Sequence, residues 1–190
     1  MAVVFIQGAS RGLGLAFVQS LLKRSNTTVF AAARTLNKTE ENGINLLSLQ
    51  SSFPNLELIS MDVTKEDNVI EASNIVKEKV GKLDLLINCS GMLHPTGKGE
   101  TKLGDINFTH ISEVFNLNTF APLIMAKHFN PLLQKGNGLI GCQKHHHDKD
   151  KSHCGVIANL SARIGSIEDN KLGGWYSYRM SKAALNMANR

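Results

Sequence analysis

The sequence predicts an α/β fold with a parallel, doubly wound sheet. Three observations carry that expectation. The chain opens on an apolar, largely β-branched run, Val3-Val4-Phe5-Ile6. A glycine turn, Gly8-Ala9-Ser10-Arg11-Gly12-Leu13-Gly14, follows at once and leads into a stretch of helical period. Four more short apolar runs then alternate with helical stretches down the chain. Runs that are apolar throughout suit strands buried on both faces, and this alternation brings successive strands parallel through right-handed crossovers.

At 190 residues and 42% hydrophobic, the chain is sized for one core, and a single domain over residues 1–190 is expected. Met1 runs almost directly into the first strand, which leaves no room for a signal or transit peptide. No apolar run approaches membrane-spanning length. A cytoplasmic protein with no membrane partner is expected. The three cysteines, Cys89, Cys142 and Cys154, are sparse and unpatterned, which argues against a disulfide scaffold. The net charge is +5, but Lys and Arg are scattered rather than striped, so a nucleic-acid partner is not expected and a small polyanion is.

The elements follow in order. The strand, glycine turn and helix at residues 3–24 make a phosphate cradle: Gly8 allows the sharp turn, and Gly12 and Gly14 let a pyrophosphate approach the amides and positive dipole end of the helix. Ser10 and Leu13 belong to the same cradle. Leu13, Ala16, Phe17 and Leu21 recur at helical spacing and are expected to face the core. Thr28 to Ala33 reads as the second strand. Arg34 ends it, about twenty residues after the last glycine, where Asp or Glu would bind a ribose hydroxyl of NAD. With Arg11, this basic residue can clamp the 2′-phosphate of NADP, each charge-assisted bond being worth roughly 1.5–3 kcal/mol.

Residues 44–49 suggest a short helix, and residues 56–61 a third strand ending at Asp62-Val63, where an acid can accept from an adenine amino group. Thr64 to Asp67 reads as a capping box, opening a helix with Val69, Ala72, Ile75, Val76 and Val80 on its buried face; Gly81 stops it. The fourth strand, residues 83–87, ends in Asn88-Cys89-Ser90-Gly91, small and polar where a cofactor's backbone passes. Residues 92–108 read as loop. The span 109–134 has helical period but contains Pro122, which has no N–H for the carbonyl of Asn118. A kink is expected there, with the freed carbonyl able to hold a water and relay protons.

Gly136 to Cys154 reads as a polar surface insertion. Its histidines, His145 to His147 and His153, lack the spacing of a metal site, so no metal is expected. Residues 155–160 form the fifth strand. Tyr178 and Lys182 then stand one turn apart on a last helix, where the lysine charge can lower the tyrosine's pKa towards neutral and make it an acid–base group. Tyr176 lies on another face of that helix.

Taken together, these residues resemble the short-chain dehydrogenase/reductase family. Gly8-x-x-x-Gly12-x-Gly14 matches its cofactor turn, Asp62-Val63 its adenine contact and Asn88-x-x-Gly91 its fourth-strand motif. Asn118 matches its relay asparagine, and Tyr178-x-x-x-Lys182 its acid and lysine. Residues 159–166 and 173–178 look most like the sniffer-type and C-factor-like carbonyl reductases within it. The resemblance implies a Rossmann-type fold and hydride transfer from NADPH to a small carbonyl substrate. In that scheme Tyr178 protonates the alkoxide, Lys182 holds the nicotinamide ribose, and Asn118 completes the relay.

Two departures from the family pattern stand out. The family's substrate-orienting serine is the second of a Ser-Ser pair, and here that position is Ala162; Ser161 is the nearest replacement. The family fold also continues past the point corresponding to Arg190, so the chain is expected to be C-terminally truncated. A longer form would pair as a homodimer or homotetramer through the helices of Asn118 and Tyr178. A catalytically impaired NADP-binding or signalling protein is the alternative reading.

Overall fold

The computed structural model describes residues 1–37, 45–137 and 155–190. Five strands, β1 (Ala2–Gln7), β2 (Thr27–Ala33), β3 (Leu56–Ser60), β4 (Leu85–Asn88) and β5 (Val156–Asn159), form one parallel sheet in the order β3-β2-β1-β4-β5. The order reverses between β1 and β4, so the connections on either side of that seam diverge and leave a crevice at the strands' carboxyl ends. Gln7, at the end of β1, is level with Ala32 on β2 and Asn88 on β4.

Helices cover both faces. Side chains alternate along β1, so Val3 and Phe5 join a core with α3 (Glu66–Lys79) and α5 (Ala121–Leu133), while Val4 and Ile6 join a second core with α1 (Gly12–Leu22) and α2 (Leu46–Ser52). The Phe5 and Phe129 rings meet at 4.6 Å between centroids. α6 (Tyr176–Ala188) packs beside α4 (Phe108–Phe115). Among the described residues, no helix is long and apolar enough to cross a membrane.

Local structure departs from the sequence expectations at several points. On α1 the buried residues are Gly14, Leu15, Val18, Leu21 and Leu22, whereas Leu13 is 65% exposed. A Cβ on Gly14 would overlap the Gly8 carbonyl, so Gly14 packs against the glycine turn and sets the phase of the helix. The box at residues 64–67 does not form. Thr64 instead donates its N–H and hydroxyl to Asp62 Oδ1 at 3.1 and 2.7 Å, and α3 starts after an uncapped Lys65. The span expected as one kinked helix divides into α4, a single π turn (Asn116–Phe120) and α5. Pro122, without an N–H, stands in the first turn of α5, and just before it Ala121 N donates five residues back, to Asn116 O.

At the opposite end of the sheet from the crevice, the fully buried Asp84 ties three segments together. Oδ2 accepts from Val3 N at 2.7 Å and from Lys82 Nζ at 3.2 Å, and Oδ1 accepts from Asn137 N at 2.6 Å. Of the expected surface insertion, residues 138–154 lie outside the described residues, and with them Cys142, Cys154 and the histidine run. Ile44 also lies outside them.

Candidate functional site

A groove of about 560 Å³ opens at the carboxyl ends of the strands. Gly8, Ser10, Arg11, Gly12, Leu13 and Gly14 form one wall. Arg34, Asp62 and Val63 lie at one end, and Cys89, Ser90 and Gly91 lie across from the glycines. The glycine turn is held by Gly8 N and Ala9 N, which both donate to Ala32 O at 2.9 and 3.0 Å. Gly12 has φ +53° and nothing within 4 Å of a Cβ built on it, so its backbone is bare towards solvent. The N-cap residue of α1, Arg11, gives no side-chain cap, and the first turn holds no acidic residue. The helix therefore presents unneutralised amides and the positive end of its dipole, which suits a bound phosphate.

Burial pushes the Asp62 carboxyl up, but the hydrogen bonds from Thr64 and the charges of Arg34 and Lys65 outweigh it and hold the group below the usual carboxylate range. An ionised acceptor thus stands beside an exposed guanidinium. Across the groove, Gln7 Oε1 accepts from Ser90 N at 3.0 Å, and a Cβ on Gly8 would come within 2.6 Å of Ser90 Oγ, so the two loops touch. A Cβ on Gly91 would lie 3.3 Å from Asn118 Oδ1 and 3.7 Å from Lys182 Nζ, so these two residues stand behind Gly91; neither they nor Tyr178 belong to the groove's lining. Burial pushes the Cys89 thiol up to about 11, so it stays neutral.

Asn118 is fully buried in the π turn, and its side chain is completely engaged. Oδ1 accepts from Met92 N at 2.9 Å; Nδ2 donates to Met92 O at 2.9 Å and to Ser181 Oγ at 3.0 Å. Ser181 Oγ in turn donates to Tyr178 O at 2.8 Å, and Thr119 Oγ1 donates to Ser181 O at 2.9 Å. The π turn is thereby bolted to the helix that carries Tyr178 and Lys182. Lys182 Nζ donates to Leu160 O at 2.7 Å and stands 5.8 Å from the centroid of the Tyr178 ring.

Three expectations for individual residues are corrected. Tyr178 is not lowered by its neighbour: burial raises its pKa, and burial lowers that of Lys182. The ammonium is taken up by Leu160 rather than by the phenol, so desolvation prevails. Ser161 is not directed to Tyr178. Its hydroxyl donates to Asn186 Oδ1 at 2.6 Å, two turns and about 12 Å of helix axis from Tyr178. Ala162, next to it, is extended (φ −150°, ψ 151°), and on extended backbone adjacent side chains leave on opposite sides. Asn88 does not line the groove; its Nδ2 donates to Asn159 Oδ1 on β5 at 2.7 Å.

The sequence reading missed Gln7, Thr35, Glu113, Asn116 and Leu117, which line the groove, and Ser181, which links its parts. Gln7 alone carried a signal, as a polar residue closing an apolar run.

A family model described as short chain dehydrogenase matches residues 2–190. An uncharacterised oxidoreductase of Schizosaccharomyces pombe is 31% identical over 184 residues, covering 97% of this chain and 63% of its own length. The chain thus spans under two thirds of the curated relatives it matches first. Among solved structures, the NADPH-bound carbonyl reductase from chicken fatty liver is 34% identical, with a TM-score of 0.79 over 99% of this chain and 72% of that one. Carbonyl reductase Sniffer of D. melanogaster is 26% identical, with a TM-score of 0.81 over the same shares.

Proposed function

The chain belongs to the short-chain dehydrogenase family, and from that premise we propose that it is an NADP(H)-dependent oxidoreductase reducing a small carbonyl compound to its alcohol. The observation that carries this reading is the groove at the β1/β4 seam. It joins an uncapped helix N-terminus over a bare Gly12 to a basic end at Arg34, and through Gly91 it backs onto Asn118 and Lys182. Residues 1–190 form, on this reading, one cofactor-binding domain.

The residues fit a nicotinamide dinucleotide. Ser10, Gly12, Leu13 and Gly14 would hold the pyrophosphate on the amides of α1; Arg11 and Arg34 the 2′-phosphate; Asp62 and Val63 the adenine; Ser90 and Gly91 the backbone of the cofactor; Lys182 the nicotinamide ribose. When bound, the cofactor supplies a hydride to the carbonyl carbon.

Tyr178, raised by burial, keeps its proton at neutral pH and gives it to the developing alkoxide. The charge of Lys182, whose Nζ stands 5.8 Å from the ring centroid, then steadies the phenolate left behind. Asn118 fixes the turn of chain beside them, and its carbonyl, deprived of the Pro122 N–H, holds the water that returns the proton.

Ala162 at the serine position and the turn of Ser161 towards Asn186 favour a second reading, an NADP-binding protein without turnover. Titration of NADPH into the 190-residue chain, followed by the fluorescence of Trp175, its one tryptophan, and by consumption of a generic dicarbonyl, separates the two. Turnover that vanishes in Tyr178→Phe supports the reductase. Saturable binding with no turnover establishes the second reading, and no binding at all removes both.

A further inference from the structure

We propose that Glu100 is a positioning residue for the Tyr178–Lys182 helix, capping its N-terminus from the loop that follows β4; the catalytic consequence rests on the proposed reductase reading. α6 begins without a cap of its own. Trp175, at its N-cap, lies in the left-handed region (φ 48°, ψ 45°) and makes no side-chain cap, and the first turn holds no acidic residue. The opening amides of a helix need acceptors, and Ser177, in the first turn, is buried away from water.

Glu100, 2% exposed, supplies two of them. Its main-chain carbonyl accepts from Trp175 N at 2.6 Å, and its Oε1 accepts from Ser177 N at 3.3 Å. Ser177 is fully buried and immediately precedes Tyr178. The loop and the helix start are in direct contact, since a Cβ on Gly99 would run into the Trp175 ring and one on Gly174 would lie 3.2 Å from Glu100 O. From the other side, Arg179 Nε donates to Gly173 O and Gly174 O at 3.2 and 3.0 Å, closing the same approach.

A carboxylate is the right group here, because a negative charge meets the positive end of the dipole and its hydrogen bonds are stronger than a neutral acceptor's. Burial pushes the Glu100 carboxyl up, but the hydrogen bonds from Ser177 and the charge of His94 outweigh it and hold the group below its usual range. Glu100 does not line the groove, so it acts on chemistry only through the placement of Tyr178.

The test compares Glu100→Ala and Glu100→Gln with the parent 190-residue chain by two measurements. One is amide hydrogen exchange at residues 175–178 of the cofactor-free protein; the other is kcat, and KM for NADPH, with a generic dicarbonyl. In Glu100→Ala, exchange at Ser177 is expected to quicken and kcat to fall, each by about tenfold, the scale of a lost helix cap. KM for NADPH rises by no more than about threefold, since Lys182 is the one proposed cofactor contact carried by this helix and it lies more than a turn beyond the cap. Glu100→Gln keeps an acceptor of the same shape and brings both quantities back to within about threefold of the parent. Glu100→Asp, one methylene short of Ser177, replaces the alanine variant if that one does not fold, with the same expectations. Unchanged exchange at Ser177, a glutamine variant as impaired as the alanine one, or a KM for NADPH that rises as steeply as kcat falls would each overturn the assignment. Exchange decides the cap whether or not the parent turns over, so a parent without turnover removes the reductase reading alone.

Discussion

Lys182 Nζ gives a 2.7 Å hydrogen bond to the carbonyl of Leu160, where β5 ends, while standing 5.8 Å from the centroid of the Tyr178 ring. One ammonium therefore fixes the loop after β5 and, on the proposed reading, steadies the phenolate formed at the tyrosine. The two residues should fail differently. Tyr178→Phe is expected to lower kcat by roughly 10²–10⁴ and leave NADPH affinity within a few-fold. Lys182→Met is expected to lower kcat as much, weaken NADPH and reduce the melting temperature, because it also strips Leu160 of its donor. Steady-state kinetics, NADPH titration and thermal melts of both variants provide the check.

Arg34 stands exposed beside Asp62 at the end of the groove. Arg34→Ala is expected to weaken NADPH by about 10- to 100-fold, one charge-assisted hydrogen bond being worth roughly 1.5–3 kcal/mol. NADH, which lacks the 2′-phosphate, should change by less than about threefold. Equal losses for both cofactors would show that the arginine does not read the phosphate.

Gly12 and Gly14 separate binding from folding. A methyl on Gly14 collides with the Gly8 carbonyl, so Gly14→Ala is expected to cost about 1–3 kcal/mol of stability or more, seen as a lower urea midpoint. A methyl on Gly12 meets nothing within 4 Å but sits at φ +53°, a strain of about 1–2 kcal/mol. Its larger effect is expected on NADPH affinity, where it stands between phosphate and backbone. The ratio of binding loss to stability loss should therefore be higher for Gly12→Ala.

Asp84 makes stability depend on acid. Burial pushes its carboxyl up, but the hydrogen bonds from Asn137, Val3 and Lys82 outweigh that and hold it below the ordinary 3.8. A lowered native pKa means the unfolded chain binds the proton more readily. The contribution is thus complete above the ordinary value and disappears as pH falls through it to the lower native one. Urea unfolding followed downward from about pH 6 should show the decline. Asp84→Asn should unfold more easily at neutral pH, by about 1–3 kcal/mol for buried groups left unpaired, and should show a weaker acid dependence.

The fold was legible because β1, β2 and β4 are apolar on both faces and each is followed by a helical stretch. The glycine turn and the Tyr178–Lys182 pair were legible because their members lie within one turn of chain. Contacts between distant segments left no such trace. Nothing in the sequence ties Ser181 to Asn118, 63 residues away, or Glu100 to Ser177, 77 away. Ser161 was misread because the side an extended residue faces depends on which partner the packed chain offers it, here Asn186. The lysine's influence on Tyr178 was misjudged for the same reason: a distant acceptor, the Leu160 carbonyl, takes up the ammonium.

The π turn amounts to one surplus residue in what is otherwise a single rod from Phe108 to Leu133. Deleting one residue between 116 and 120 would let the rod close up at ordinary pitch, with its two halves still presenting their apolar sides inward. The scaffold would survive the excision, yet the amide that grips Met92 and Ser181 would be swung out of reach. The reach of Asn118 and the soundness of the scaffold are separated here by the length of a single peptide unit.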